Sequence, residues 1–118
     1  MLINWARTRL TSNIHELGSL PSSILMVQFT TAIIALHLLQ VVLWAAFYRW
    51  QCFPNWETAF YFSTTSYTTV GYGDVVLPRT WRTLGPVESV LGVLMSGLSV
   101  SVLFTIMTRL VERGEAQA

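Results

Sequence analysis

Two long runs without charge constrain this chain more than any other feature. Asp, Glu, Lys and Arg are all absent from residues 17–48, and the most apolar stretch of that run is 24–48. A second run without charge covers residues 89–108. As helices, 24–48 and 89–108 would be about 37 Å and 30 Å long, enough to cross the roughly 30 Å hydrocarbon core of a bilayer. The sequence therefore predicts an all-α membrane protein with two transmembrane helices.

The composition agrees with this prediction and excludes other classes. The chain is 53% hydrophobic and 11% charged, whereas soluble domains carry about 25% charged residues. Scattered arginines and a net charge of +1 do not form a nucleic-acid surface. Cys52 is the only cysteine, which leaves an intersubunit disulfide or an idle thiol. Without a nucleophile–base pair, a metal cluster or a phosphate loop, we expect neither an enzyme nor a cofactor.

A third stretch, residues 58–73, lacks charge but is too short and too rich in Ser and Thr to face lipid. Asn55 before it is a plausible helix cap, and Gly71 and Gly73 follow the helical residues. A half-length helix that ends in a glycine turn is typical of a re-entrant loop. Such a loop is stable at membrane depth only where protein or water surrounds it. The predicted order is span, half-helix, glycine turn and span.

Residues 68–74, Thr-Thr-Val-Gly-Tyr-Gly-Asp, closely resemble the signature of potassium channels. Over residues 24–110 the layout is similar to the two-transmembrane-helix bacterial pore-only potassium channels. This resemblance implies a four-fold homotetramer in which a re-entrant pore helix and a selectivity-filter loop conduct K⁺ as the permeant ion. The K⁺-coordinating residues that it implies are Thr69, Val70, Gly71, Tyr72 and Gly73.

Physical chemistry leads to the same filter independently. A K⁺ ion enters a narrow pore only if oxygen atoms replace its water shell, and successive backbone carbonyls can do so if all point inward. Alternating the sign of the backbone twist achieves this, and glycine visits positive φ without strain. Gly71 and Gly73 supply such positions, and the Thr69 hydroxyl adds another oxygen. One chain supplies only a quarter of each oxygen ring, so the mechanism requires four copies.

Other residues are predicted to support the filter. Tyr61 and Phe62 of the pore helix are candidates for an aromatic cuff around Tyr72, and the Tyr61 hydroxyl is a candidate donor to Asp74. Thr65 stands where relatives often carry glutamate or valine, so an acid–acid pairing with Asp74 is not expected. The carboxyl end of the pore helix is expected to direct its partial negative charge toward the pore.

The predicted boundaries follow from these assignments. The resemblance places the Asp74 end outside, so both termini are expected in the cytoplasm and the protein in the cell membrane. The N-terminal segment is either an interfacial helix or a partly disordered tail. The segments are a cytoplasmic N-terminal segment 1–23, a pore domain 24–112 with outer helix 24–50, pore helix 55–67, filter 69–73 and inner helix 83–110, and a polar tail 113–118.

The inner helix carries several candidates with two interpretations. Gly92 is either a hinge for an inner gate or a point where two helices approach closely, and Gly97 is the second hinge candidate. This helix also carries a stripe of small residues on one face, which either lines a water-filled cavity or is a packing seam. The stripe consists of Ser89, Gly92, Ser96, Ser99 and Leu103. The family register adds candidate cavity residues Ser96 and Val100 and candidate gate residues Phe104 and Met107.

Two polar residues in or beside the spans also have functional interpretations. His37, one turn before Gln40, either senses pH or is a neutral side chain bonded to another helix. Glu88 is expected to favour the start of the inner helix. Two rival functions are a poorly selective cation channel, which the intact Tyr72 disfavours, and a non-conducting membrane anchor, which would not require a complete filter.

Overall fold

The computed structural model describes residues 2–117, and their side chains from Leu20 onward. The described chain is helical except for the turns and loops that connect its elements. In chain order these elements are helix α1 (Leu2–Gln51), helix α2 (Trp56–Tyr67), a 3₁₀ helix (Arg79–Trp81) and helix α3 (Leu84–Gln117).

The outer and inner helices are longer than the sequence predicted. Helix α1 begins at Leu2 and continues through Pro21, so the backbone of the N-terminal segment is continuous with the outer helix. The side chains that would test whether this segment is an interfacial helix lie outside the described set. Helix α3 continues past residue 110 to Gln117, because 111–117 contains good helix formers such as Glu, Arg and Ala.

The chain forms two compact units. One consists of Met1–Ala32 together with Ser101–Ala118, which are the beginning of α1 and the end of α3. The other, Ile33–Val100, contains α2 and the residues that follow it. All the geometry described below, unless stated otherwise, lies within this second unit.

An aromatic core fastens α2 to the end of α1. Tyr48, Ala59, Phe62 and Leu77 are its buried members. The rings of Tyr48 and Phe62 meet edge to face with centroids 5.1 Å apart, a favoured geometry for aromatic pairs. Because Phe62 comes from α2 and Tyr48 from α1, this contact sets the position of the short helix against the long one.

Cys52 follows α1 and is a half-buried free thiol beside this core. Burial raises the pKa of the thiol, which reduces the thiolate fraction at neutral pH. Since the thiolate is the reactive form, burial lowers the reactivity of Cys52 within the single chain, and the choice between an idle thiol and an intersubunit disulfide stays a prediction.

Two segments are long and apolar enough to cross a membrane by length and composition, Leu20–Gln51 and Arg79–Gln117. Large apolar side chains on them are exposed, with Leu43 61% and Leu98 61% accessible. Soluble monomers rarely expose apolar patches of this extent, whereas lipid and protein partners both cover such surfaces. The two long apolar helices that the sequence predicted are therefore present.

Candidate functional site

Helix α2 has a capped start and leads directly into residues 68–74. The Asn55 side chain accepts a hydrogen bond from the Thr58 amide at 3.2 Å, and Glu57 lies in the first turn. Both features stabilise the positive end of the helix dipole. The last turn, which ends at Tyr67, contains no basic residue, so the partial negative charge at that end is not neutralised by a side chain of the turn.

The backbone after α2 alternates in hand. Thr69, Gly71 and Gly73 have φ of +64°, +47° and +78°, whereas Val70 and Tyr72 between them do not have positive φ. The sequence predicted left-handed backbone at the two glycines but not at Thr69. A left-handed conformation costs a non-glycine residue about 1–2 kcal/mol. The surroundings must therefore hold Thr69 in place.

Backbone hydrogen bonds help to keep Thr69 in its left-handed conformation. Three amides donate to carbonyls of the last turns of α2: Thr68 to Thr64 at 3.1 Å, Thr69 to Ser66 at 3.0 Å, and Gly71 to Thr65 at 3.0 Å. Thr65, predicted to support the filter, thus contacts Gly71 through its main-chain carbonyl. Its hydroxyl is used elsewhere and donates to the Phe62 carbonyl at 3.0 Å.

Tyr61 and Asp74 join the far end of the segment to α2. The Tyr61 hydroxyl donates to Asp74 Oδ2 at 2.9 Å, which is the hydrogen bond expected from the sequence. This bond to the carboxylate raises the pKa of the Tyr61 phenol, so the phenol keeps its proton at neutral pH. The segment is therefore attached to α2 at both of its ends.

Phe62 lies in a different place from the one predicted. Only 8% of its side chain is exposed, and its ring packs against Tyr48 and Phe53 in the aromatic core. Tyr72 is 74% exposed. Position 62 is on the face of α2 that turns toward α1, where burial stabilises the large apolar ring. The predicted cuff role of Phe62 is therefore not supported within one chain, whereas Tyr61 is on an exposed face of α2.

Helix α3 packs closely on the carboxyl end of α2. A Cβ atom added at Gly92 would lie 2.0 Å from the carbonyl oxygen of Tyr67 and 2.9 Å from its carbonyl carbon. One turn earlier, the Ser89 hydroxyl donates to the Ser66 carbonyl at 2.7 Å. This section of the small-residue stripe is a packing seam, and Gly92 is a point of close approach. Its role as a hinge stays a prediction.

His37 joins α1 to both other helices. Its Nδ1 lies 2.7 Å from the Tyr67 hydroxyl, and its Nε2 lies 2.8 Å from the Ser99 hydroxyl. The Tyr67 hydroxyl also donates to the Gln40 side chain. The Ser99 hydroxyl in turn donates to the Met95 carbonyl at 2.8 Å. These contacts agree with the interpretation of His37 as a side chain bonded to other helices, and its role as a pH sensor stays a prediction.

Glu88 is fully buried, with 0% of its side chain exposed. Its Oε2 accepts a hydrogen bond from the Tyr48 hydroxyl at 2.8 Å, and its Oε1 lies 2.6 Å from the Ser63 hydroxyl. These contacts join α3 to α1 and α2 within the same unit. Glu88 therefore does more than favour the start of α3, which was the role expected from the sequence.

The family assignment agrees with this arrangement. A family model described as "ion channel" matches residues 24–109, which include α2, residues 68–74 and most of α3. The chain belongs to this ion channel family. No curated protein and no solved structure gives a significant match. Membership makes the chain a membrane protein whose permeating species is an ion, and it is typical of a conducting protein rather than of an enzyme.

The remaining candidates of this ion channel lie along α3. A Cβ atom at Gly97 would meet nothing within 4 Å, so Gly97 is not needed for packing within the chain. Ser96 lines a cavity of about 280 Å³ together with residues of α1 and α2, and Val100 is 67% exposed. In the other unit, Phe104 is 71% and Met107 56% exposed. Their cavity and gate roles stay predictions.

Sequence reasoning missed the buried cluster of Glu88, Ser63 and Tyr48 in this ion channel. One signal was available, because Glu88 is an acid just before a run of 20 residues, 89–108, without charge. An ionisable residue inside or beside a span is a functional candidate by default. The partners could not be found in the same way, because they are 25 and 40 positions away in the sequence.

Proposed function

We propose that the chain is one subunit of a potassium-selective channel that conducts K⁺ passively through a filter formed by Thr69–Gly73 of four subunits. The observation that carries the proposal is the alternation of positive φ at Thr69, Gly71 and Gly73 within the seven-residue signature. When the sign of φ alternates from one residue to the next, successive carbonyl groups point to the same side of the chain. Rings of such oxygens replace the hydration shell of the ion.

The position of α2 supports cation conduction. Its carboxyl end meets the filter through the amides of Thr69 and Gly71, and no basic side chain in the last turn opposes its partial negative charge. A helix terminus of this sign favours a cation. We propose that α2 is the re-entrant pore helix and that Asp74, Tyr61 and Thr65 hold the filter in shape.

The exposure of the filter supports an oligomer. Val70 is 52% and Tyr72 74% exposed in the single chain, although both are large and largely apolar. Four chains arranged around one axis would cover these side chains and close each oxygen ring. We propose a homotetramer in the cell membrane, with both termini in the cytoplasm and the Asp74 end outside.

Domain roles follow the predicted layout. In this proposal residues 24–112 form the pore domain, 1–23 is a cytoplasmic N-terminal segment, and 113–118 is a polar tail. Ser96 and Val100 face the internal cavity, and Phe104 and Met107 narrow the cytoplasmic entrance. Gly97 is a better hinge candidate than Gly92 on packing grounds, since its position is open and that of Gly92 is filled.

Ion flux into liposomes tests the proposal. We expect purified protein, reconstituted in liposomes, to support K⁺ flux and to exclude Na⁺, and chemical crosslinking to trap four subunits. Equal K⁺ and Na⁺ flux would contradict selectivity and favour a general cation channel. A confirmed tetramer without flux of either ion would favour a non-conducting role.

The Tyr61–Asp74 bond gives a smaller testable effect. Tyr61→Phe removes the exposed hydrogen bond to Asp74, so we expect K⁺ flux to fall about two- to tenfold with the tetramer intact. The loss should be the same at low and high ionic strength, because the carboxylate remains.

Asp74→Asn is the matched control for this prediction. The amide keeps an oxygen acceptor for Tyr61 but removes the charge, so its effect should decrease as salt screens the field. An effect of Tyr61→Phe that disappears at high salt would show that the phenol acts through the charge of Asp74 and not through filter geometry.

A further inference from the structure

The buried cluster around Glu88 has more short oxygen contacts than its hydroxyl groups have protons. Glu88 Oε2 lies 2.8 Å from the Tyr48 hydroxyl, and Glu88 Oε1 lies 2.6 Å from the Ser63 hydroxyl. The same Ser63 oxygen lies 2.9 Å from the carbonyl oxygen of Val41. All three distances are in the hydrogen-bond range for oxygen pairs.

Three hydrogen bonds need three protons. Tyr48 supplies one and Ser63 supplies one, since a hydroxyl carries a single hydrogen. If Glu88 is ionised it is only an acceptor, so either the contact to Val41 or the contact to Glu88 Oε1 brings two oxygens together without a proton. If Glu88 is protonated, it donates to Ser63, Ser63 donates to the Val41 carbonyl, and Tyr48 donates to Glu88. Every contact is then a hydrogen bond.

The surroundings also disfavour a charge. Glu88 is 0% exposed, and no basic group among the described side chains forms a salt bridge with it. The titratable groups that face it are the Tyr48 phenol from α1 and the Tyr67 phenol from α2. Both are neutral or, if they titrate, negative. A buried carboxylate without a positive partner is strongly disfavoured in such a site.

We propose that Glu88 is a neutral carboxylic acid at pH 7 and acts as a positioning residue that fastens the pore helix between the outer and inner helices. Its proton completes the chain of bonds from α3 through Ser63 to the Val41 carbonyl of α1. This role concerns the attachment of α2 and is independent of which ion permeates. An experiment can therefore contradict the positioning role of Glu88 while potassium selectivity is confirmed, and it can contradict selectivity while the role of Glu88 is confirmed.

Infrared spectroscopy of the intact protein tests the protonation state directly. We expect a carboxylic acid C=O band at pH 7 that shifts in D₂O and that is missing from the Glu88→Gln variant. Tyr48→Phe should move the band to higher wavenumber, because the carbonyl oxygen loses its donor. Glu57→Gln is the matched control, since Glu57 is exposed and should leave this band unchanged.

Stability supplies a second readout. In Glu88→Gln the new side-chain amide would donate to Ser63 and accept from Tyr48, so this variant should assemble normally and match the wild type in unfolding temperature at about pH 4, where Glu88 is protonated in the folded and the unfolded chain. Between about pH 4 and pH 7 only the unfolded wild type gives up this proton, so the wild type should lose stability relative to the variant as the pH rises.

The outcomes are decisive. A carboxylic acid band that disappears in Glu88→Gln, together with normal assembly of that variant, supports the proposal. A wild-type spectrum at pH 7 without this band overturns it. Failure of Glu88→Gln to assemble also overturns it, because a neutral acid is the state that glutamine reproduces best.

Discussion

Gly92→Ala is expected to abolish both assembly and conduction. The added Cβ would lie 2.0 Å from the carbonyl oxygen of Tyr67, a backbone atom that cannot turn aside as a flexible side chain can. Overpacking usually costs about 1–3 kcal/mol, and a clash with backbone should reach or exceed the upper value in every subunit. We expect no stable oligomer on size-exclusion chromatography and less than about one tenth of wild-type K⁺ flux.

Gly97→Ala is the matched control, because it makes the same change in the same helix. Nothing lies within 4 Å of a Cβ atom at Gly97, and alanine in a helix interior is about 1 kcal/mol more favourable than glycine. We expect this variant to be at least as stable as the wild type. If Gly92→Ala assembles normally and only fails to open, Gly92 is a hinge and not primarily a packing position.

Gly73→Ala is expected to remove K⁺ selectivity while leaving the oligomer intact. Gly73 has φ of +78° and open space around its Cβ position, so the substitution adds backbone strain without a steric clash. The strain is about 1–2 kcal/mol in each chain, or about 4–8 kcal/mol over the four chains of the proposed tetramer. The filter should relax to another shape, and the ratio of K⁺ to Na⁺ flux in liposomes should fall more than about tenfold.

Gly114→Ala is the corresponding control. Gly114 lies in α3, has no left-handed φ, and has nothing within 4 Å of its Cβ position. The two variants therefore differ in backbone conformation and not in crowding. Wild-type selectivity in Gly73→Ala would show that the left-handed backbone at this position is not needed by the filter.

The order of elements could be predicted from the sequence, because each rests on a local pattern. Runs without charge indicate spans, Asn55 and Glu57 indicate the start of α2, and the glycines at 71 and 73 indicate left-handed backbone. The Tyr61–Asp74 bond was within reach as well. It joins α2 to Asp74 at the end of residues 68–74, and the resemblance to potassium channels already predicted that these two lie side by side.

The contacts between distant helices could not be predicted in this way. Phe62 was assigned to the filter because of its aromatic ring, but its position on α2 turns it toward Tyr48. The close approach at Gly92 and the burial of Glu88 depend on how α3 lies against α2, which no local pattern specifies. The length of the terminal helices was missed because polar residues with good helix propensity extend a helix beyond its apolar section.

The left-handed backbone at Thr69 implies a minimum free-energy contribution from the Thr69 side chain. Glycine at position 69 would give the same φ of +64° without the cost of about 1–2 kcal/mol. A threonine at this position offsets that cost only if its hydroxyl and methyl groups stabilise the conducting state by at least the same amount. Over the four subunits of the proposed tetramer this minimum is about 4–8 kcal/mol, which is comparable to the net stability of a whole domain. Thr69→Gly removes both the hydroxyl and the backbone strain, so its effect on K⁺ flux would measure how much the Thr69 hydroxyl contributes beyond the strain that threonine causes.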